Sequence, residues 1–237
     1  MKVISLIPAR SGSKRCVNKN IRDLNGKPLL AYSIQCSLLS EIIDKTFIIT
    51  DSLQYEQIAL SYGAESIGLR PMNTATDKST DFDWIKWFID NYKSINEGDL
   101  ICILRPTNPF RTTNIIEKAY KIITKSNSES VRGVELCKQH PMKAWVLNDD
   151  KSYMLPYTTN FIYSIPAHSV QYASLPEVFI QNGCLEMFYV SNIKKYNNFS
   201  GYLISPLIIE GYEGFDINYE EDFILAQSLI EKKMVNF

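Results

Sequence analysis

The sequence predicts an α/β fold with a mostly parallel sheet flanked by helices. Three observations predict it. Aliphatic and β-branched runs at residues 3–7, 46–50 and 99–104 read as strands buried on both faces, without the polar alternation of a half-exposed strand. Stretches of helical spacing lie between them. The connections are short, and strand–helix–strand–helix order implies a parallel sheet with helices on both sides. Ligands of such sheets sit beyond the carboxyl ends of the strands.

Taken in order, the first strand empties into Pro8-Ala9-Arg10-Ser11-Gly12-Ser13-Lys14, followed by Arg15, Lys19, Asn20 and Arg22. Five cations thus fall within thirteen positions, 10–22. Gly12 and its flanking serines let the backbone approach a ligand closely and turn N–H groups inward, which suits phosphate oxygens. The cations neutralise the charge of such a ligand. The loop has neither the Gly-Lys-Ser/Thr ending of a Walker A sequence nor the glycines of the dinucleotide fingerprint. Asn25-Gly26 makes a turn, and Pro28 suits the first position of a helix carried by Leu29, Leu30, Ile34, Leu38 and Leu39. After the second strand, Asp51-Ser52 caps a helix to about Tyr62, and Gly63 is its stop.

Residues 68–80 form a polar loop. Ser79 or Thr80 caps the next helix, whose Asp81 and Asp83 suit its positive end. Trp84, Trp87, Phe88 and Ile95 are read as the core face of that helix rather than as a base-stacking platform. The third strand opens into Arg105-Pro106-Thr107-Asn108-Pro109-Phe110-Arg111, a second strand-end loop with two arginines. A helix from about Thr113 to Lys125 and a strand near 130–136 follow. The stretch from about 145 to 182 has weak periodicity and many Tyr, Pro and Ser, as an arm or functional insertion does. The acids from Glu220 onward start a last helix to about Lys233.

A chain of 237 residues suits one large domain, or one domain with a sizeable arm. The net charge of -1 gives no whole-surface attraction for nucleic acid or an anionic membrane, so neither is expected as a partner. Five cysteines, at 16, 36, 102, 137 and 184, form no Cys-x-x-Cys, which argues for a reducing compartment. His140 and His168 join no zinc motif. No apolar run approaches the ~18 residues needed to cross a bilayer, and the segment after Lys2 is too short for a signal-peptide core. A cytoplasmic location is expected.

The N-terminal loop resembles the signature of the CMP-sialic acid synthetase (acylneuraminate cytidylyltransferase) family of nucleotidyltransferases. That signature reads Pro-Ala-Arg-x-Gly-Ser-Lys, then Lys-Asn, then Asn-Gly-Lys-Pro-Leu. Here it is residues 8–14, Lys19-Asn20 and residues 25–29. The resemblance covers nearly the whole chain. Arg70-Pro71 with Asp77, Ser79 and Thr80 is similar to the segment that closes over base and ribose. Residues 104–111 resemble Leu-Gln-Pro-Thr-Ser-Pro-Leu-Arg, His140-Pro141-Met142-Lys143 resembles His-Pro-x-Lys, Asn182-Gly183 matches an Asn-Gly, and Asp216-Ile217-Asn218 resembles Asp-Ile-Asp.

The resemblance implies a Rossmann-like fold of the nucleotide-diphospho-sugar transferase kind, a single domain over 1–237 with a β-rich dimerisation arm at about 145–182, and a homodimer. It implies a CTP-dependent cytidylyltransferase, in which an acceptor oxygen attacks the α-phosphate of CTP and pyrophosphate leaves. Such chemistry needs in-line positioning and neutralisation of phosphate charge. By resemblance, Arg10 and Lys19 are catalytic, with Pro8, Ala9, Arg10, Ser11, Gly12, Ser13, Lys14, Asn20, Arg70, Asp77 and Ser79 on the nucleotide. Arg105, Thr107, Lys143, Gln171 and Asn182 fall to the acceptor. Strand alternation puts Asp216 and Asn218 on one face, where both could hold Mg²⁺. The implied acceptor is the anomeric hydroxyl of a sialic-acid-like 2-keto sugar acid, giving a CMP-sugar for surface glycans. The chain departs from the family in the arm, where Gln171 and Tyr172 stand in a stretch that lacks an arginine the family often places there, and at three further positions. Arg105 replaces a common Gln, and a planar cation there suits a carboxylate or phosphate. Ile180 replaces a common Arg, and Asn218 replaces an Asp. Two alternatives therefore stay open: a nucleotidyltransferase for 3-deoxy-octulosonate or a sugar phosphate, and a non-catalytic nucleotide-binding relative.

Overall fold

Strand β1 (Val3–Pro8) is buried along almost its whole length, as a strand covered on both faces must be. A computed structural model of the chain describes residues 1–159, 161–162 and 164–235. After β1 come β2 (Asp23–Leu24), β3 (Lys27–Pro28), α1 (Leu29–Leu38), β4 (Lys45–Ile49), α2 (Leu53–Ser61), α3 (Asp81–Asn91), β5 (Leu100–Ile103), α4 (Thr113–Lys125) and β6 (Ser130–Leu136). Then follow β7 (Trp145–Leu147), β8 (Met154–Pro156), β9 (Phe161–Ile162), β10 (Ile165–Pro166), β11 (Phe179–Tyr189), α5 (Ser191–Tyr196), β12 (Ile204–Ile208) and α6 (Glu220–Glu231). The chain forms two compact units, Met1–Val134 with Asn182–Phe237, and Glu135–Gln181.

The first unit is built on a six-stranded sheet in the order β12-β6-β11-β5-β1-β4. β1 pairs in parallel with β4 and β5, β12 pairs in parallel with β6, and β11 runs antiparallel to β5. Alternation sorts the strand residues onto two faces. Val3, Ile7, Ile48, Leu100 and Cys102 pack with Leu30 and Ile34 of α1, Tyr55 and Ala59 of α2, and Ile115, Ile116, Ala119 and Ile123 of α4. Ile4, Leu6, Phe47, Ile49, Ile101 and Ile103 pack with Trp84, Ile85 and Phe88 of α3. Burying each such side chain is worth roughly 1.5–3 kcal/mol, so both helix layers are anchored. A third cluster joins Phe223, Ala226 and Leu229 of α6 to Leu24, Leu29, Tyr32 and Phe110.

Local signals mostly act as expected. Asn25 and Gly26 both take positive φ, 52° and 82°, in the β2–β3 hairpin. This turn suits Asn-Gly because glycine tolerates that region freely and asparagine better than most residues. Pro28 is the extended residue before α1 rather than its first helical position. Ser52 caps α2 by accepting from Tyr55 N. Thr80, not Ser79, caps α3, in a reciprocal box with Asp83. α3 stops at Asn91, so Ile95 reaches the core from beyond the helix. Residues 215–218 lie outside any strand, contrary to the alternation argument, although Ile217 N donates to Thr107 O at 2.9 Å.

The second unit holds two small hairpins, β7–β8 and β9–β10, and short 3-10 turns. Lys143 Nζ donates to the carbonyls of Val170 (2.7 Å) and His168 (3.2 Å). Gln171 precedes the turn Tyr172–Ser174. All five cysteines are buried thiols, and among the described residues no helix is long and apolar enough to cross a membrane.

Candidate active site

Parallel pairing of β1 with β5 aligns Leu6 with Ile103, so the loops that follow them leave at the same edge of the sheet. They line one cavity of about 300 Å³. The first loop is tied to β4: Ala9 N donates to Ile49 O (2.9 Å), while Ser11 N and Oγ donate to Asp51 (2.8 and 2.6 Å). Gly12 supplies the left-handed turn at φ 73°. Buried Asn20 donates to the Arg10 carbonyl at 3.2 Å, fixing the start of the cationic stretch. Lys19 Nζ donates to Ile217 O at 2.7 Å, and burial pulls its pKa below the usual 10.5 although Asp216 favours the charge.

Arg10, Lys14, Lys19 and Arg70 all line the cavity. Arg70 is 5% exposed, and its Nε has no hydrogen-bond partner. Burial lowers its pKa, and among the described residues it forms no ion pair. Asp51 and Asp81 favour its charge only from beyond ion-pair contact, so the buried guanidinium is costly, and a bound anion would complete it. Arg10 and Lys14 both pair with Asp77, at 2.8 and 2.5 Å.

On the other wall, Arg105 is not a free cation. Its Nη2 lies 2.6 Å from Asp81 Oδ2 and 2.6 Å from Glu186 Oε1, and Arg132 sits 3.2 Å from Glu186 Oε2. Two arginines and two carboxylates therefore balance. Burial opposes the charges of Arg105 and Asp81, but their pairing overrides it, raising the Arg105 pKa and lowering that of Asp81. Gly183, at φ 68°, lets the backbone lie against the Arg105 stem: an added Cβ would be 3.4 Å from its Cδ.

Below the cations, Asn218 Nδ2 donates to Asp216 Oδ2 at 2.6 Å, and Asp216 Oδ1 is buried without a hydrogen-bond partner. The cavity thus brings together Pro8, Arg10, Ser13, Lys14, Lys19, Asn20, Arg70, Asp77, Ser79, Arg105, Thr107 and Asn218. Ala9, Ser11, Gly12, Asp216 and Asn182 do not line it, and Asn182 accepts from Cys184 N at 3.1 Å. Lys143 and Gln171 belong to the second unit, and their acceptor roles rest on sequence resemblance.

The pattern that defines the family described as cytidylyltransferase matches residues 4–193 of this chain. The chain belongs to the cytidylyltransferase family. It is 34% identical over 236 residues to N-acylneuraminate cytidylyltransferase of Escherichia coli, covering 98% of this chain and 53% of that protein. It is 30% identical over 236 residues to CMP-N,N'-diacetyllegionaminic acid synthase of Legionella pneumophila, covering 98% and 97%. A pseudaminic acid cytidylyltransferase of Campylobacter jejuni is 34% identical over 151 residues, 63% of this chain and 65% of that one. The chain therefore spans about half the length of the first relative and nearly all of the second. Among solved structures, CMP:2-keto-3-deoxy-manno-octonic acid synthetase complexed with CTP matches at TM-score 0.71 and 15% identity, over 98% of this chain and 100% of that one. 4-Diphosphocytidyl-2C-methyl-D-erythritol synthase from Anaerococcus prevotii matches at 0.62 and 13%, over 97% and 98%. At such identities the likeness is one of fold, and it bears out the Rossmann-like architecture. The family expected from the N-terminal motifs is the family found.

Arg15, one of the five cations of the first loop, also lines the cavity, whereas Cys16, Thr74, Thr76, Asp81 and Trp84 escaped the sequence reading as site residues. By sequence Asp81 reads only as an acid that compensates the helix dipole. The unusual Arg105 was the signal that could have found it, since a new buried cation needs a carboxylate nearby. Trp84 is core, as expected, yet one edge reaches the cavity and its Nε1 donates to Asp81 at 2.9 Å.

Proposed function

We propose that the chain transfers the cytidylyl group of CTP to the anomeric hydroxyl of a sialic-acid-like nonulosonic acid, releasing pyrophosphate and a CMP-sugar. The observation that carries this reading is the set of cations lining one strand-end cavity, Arg10, Lys14, Arg15, Lys19 and Arg70, with Arg70 buried and its Nε without a hydrogen-bond partner. Arg10, Lys14, Lys19 and Arg70 bind and neutralise the triphosphate, and Asn20 holds Arg10 in register. Charge neutralisation and alignment are the main protein contribution to such a transfer. The named activities of the relatives support a nonulosonic acceptor. Internal neutralisation of Arg105 weakens the case for a sugar phosphate, because that wall offers no surplus positive charge.

Asp216 fits a hard cation, since its orphaned buried Oδ1 is an anionic oxygen donor. Asn218 presents its amide nitrogen to Asp216, so sharing an ion requires the amide to turn its oxygen inward. Among the described residues no group of three His, Cys, Asp or Glu side chains forms a metal site, so nucleotide oxygens would complete the coordination. Bound Mg²⁺ would supply charge neutralisation at the phosphates. Exposed Trp145, Val146, Leu147, Met154 and Leu155 on the β7–β8 hairpin support a homodimer arm, and buried thiols fit a cytoplasmic location.

The test is pyrophosphate release with CTP and Mg²⁺ across N-acetylneuraminate, diacetamido-nonulosonates, 3-deoxy-octulosonate and sugar phosphates. Turnover confined to a nine-carbon keto acid is the expected result. Turnover only with a phosphorylated or eight-carbon acceptor overturns the acceptor assignment, and CTP binding without turnover on any acceptor overturns the enzymatic one.

A further inference from the structure

The first two cations of the phosphate loop already hold an anion. Arg10 Nη2 meets Asp77 Oδ1 at 2.8 Å and Lys14 Nζ meets Asp77 Oδ2 at 2.5 Å, so one carboxylate bridges both with its two oxygens. Arg10 Nη1 also reaches the Ala75 carbonyl at 3.4 Å. The segment that carries Asp77 is braced largely by itself. Thr74 Oγ1 donates to Pro71 O (2.7 Å), Ser79 Oγ donates to Asn73 O (2.7 Å), and Thr76 N donates to Ser79 Oγ (3.0 Å). This segment therefore keeps its shape without the loop, while Asp77 ties it to the loop. Asp77 and Lys14 side chains are 45% and 80% exposed, so the pairs are weak and exchangeable.

We propose that Asp77 is a positioning residue that stands in for phosphate: its carboxylate holds Arg10 and Lys14 at the cavity until the oxygens of a polyphosphate replace it. This rests on the proposed CTP site. A carboxylate and a phosphate offer both cations the same thing, a pair of acceptor-only oxygens. A triphosphate carries more charge than one carboxylate, so the exchange runs in its favour. A ligand with a single phosphate gains less from it, so Asp77 discriminates between polyphosphates and monophosphates and helps a CMP-bearing product to leave. Displacement also frees residues 72–79, which contribute Thr74, Thr76 and Ser79 to the lining, to re-seat on the nucleotide.

The experiment is calorimetric titration of the wild-type chain and the Asp77→Asn and Asp77→Ser variants with CTP, inorganic pyrophosphate and cytidine, at low and high ionic strength. At low salt both variants should bind CTP and pyrophosphate about three- to tenfold more tightly, through loss of the competing carboxylate. Cytidine affinity should not change, and the gain should shrink at high salt. In turnover the KM for CTP should fall while kcat does not rise. Equal or weaker CTP binding by both variants, with wild-type binding intact, overturns the exchange and leaves the CTP site standing. Tighter binding of cytidine as well would mark a general change of shape and also overturn it. A wild-type chain that binds neither CTP nor pyrophosphate overturns the proposed function, and this inference with it.

Discussion

Arg105→Met keeps the aliphatic stem and deletes the charge, leaving two carboxylates behind. In the native chain Arg105 touches both Asp81 and Glu186 at 2.6 Å, and Glu186 is also 3.2 Å from Arg132. Deleting one partner of a buried ion pair costs about 3–5 kcal/mol. Here the Arg105 and Asp81 side chains keep 28% and 33% of their exposure and Arg132 still faces Glu186, so about 2–3 kcal/mol is expected at pH 7. The pH dependence tests the cause. Burial works to raise the Asp81 pKa, but Arg105 holds it below the ordinary 3.8. Such a depressed carboxylate contributes stability that is fully present above its unfolded value and is lost as the pH falls through the folded one. In the variant only the Trp84 hydrogen bond and the more distant Arg132 oppose burial, so the Asp81 pKa rises and the charged carboxylate becomes a liability at neutral pH. The gap between the two proteins should therefore be full at pH 7, narrow as the pH falls towards 3.8, and close only below the depressed native value. Urea unfolding at pH 7, 5 and 3.5, followed by tryptophan fluorescence, measures it, with Trp84 bonded directly to Asp81 as the reporter. Adding Asp81→Asn to Arg105→Met should restore about 1 kcal/mol by removing the carboxylate that has lost its ion pair, because Glu186 keeps Arg132. A gap under about 0.5 kcal/mol at pH 7, or one that does not narrow in acid, would refute the argument.

Arg70→Met should abolish CTP binding while holding or raising the urea midpoint, because it removes a buried cation that forms no ion pair and whose Nε lacks a hydrogen bond; unchanged CTP affinity would take Arg70 out of the site. Lys19 should give the CTP dependence an alkaline limb. Its folded pKa lies below 10.5, so KM for CTP should climb with pH through that lowered value, and CTP binding should take up a proton there. The sign for the ligand-free chain is opposite: a lysine with a depressed pKa costs stability while protonated, so the chain should gain stability as pH rises towards 10.5. Lys19→Met should remove both effects in pH-rate and pH-unfolding profiles. Asn218→Asp should shift the Mg²⁺ titration of turnover to lower concentration without altering acceptor choice; an unmoved titration would show that position 218 does not face the ion.

The phosphate loop was legible because its signal is local. A buried apolar run followed at once by small residues and cations states both the strand end and the charge of the ligand. Ser52 and the Asn25-Gly26 turn were legible for the same reason. Asp216 and Asn218 came together as expected, but through Ile217 docking on Thr107 rather than through strand alternation. Glu186 was invisible. An apolar strand sequence does not encode its own direction, and β11 lies antiparallel to β5 with Glu186 opposite Ile103. That pairing alone carries a carboxylate to the carboxyl end of β5, where Arg105 begins the loop.

Topology explains why these parts meet where they do. β1 lies between β4 and β5, so the chain steps to one side of β1 and then crosses to the other. A parallel sheet opens a crevice at such a reversal, beyond the carboxyl ends of the two strands that flank it. The loop after β1 carries the unpaired and loosely paired cations, and the loop after β5 carries the cation that is already neutralised. The crevice is therefore electrostatically asymmetric: it presents exchangeable positive charge on the β1 side and a balanced, hydrogen-bonding wall on the β5 side. A triphosphate would be drawn to the first, and a polyhydroxylated sugar acid would gain more from the second than a second phosphate would. Arg105 keeps that polarity only because Asp81 and Glu186 accompany it. Placing Gln at 105 without neutralising one of these acids should leave the acceptor wall net negative and raise the KM for a carboxylate-bearing acceptor, while the KM for CTP stays within about twofold. Equal rises in both would mean that the two sides of the crevice are not separate.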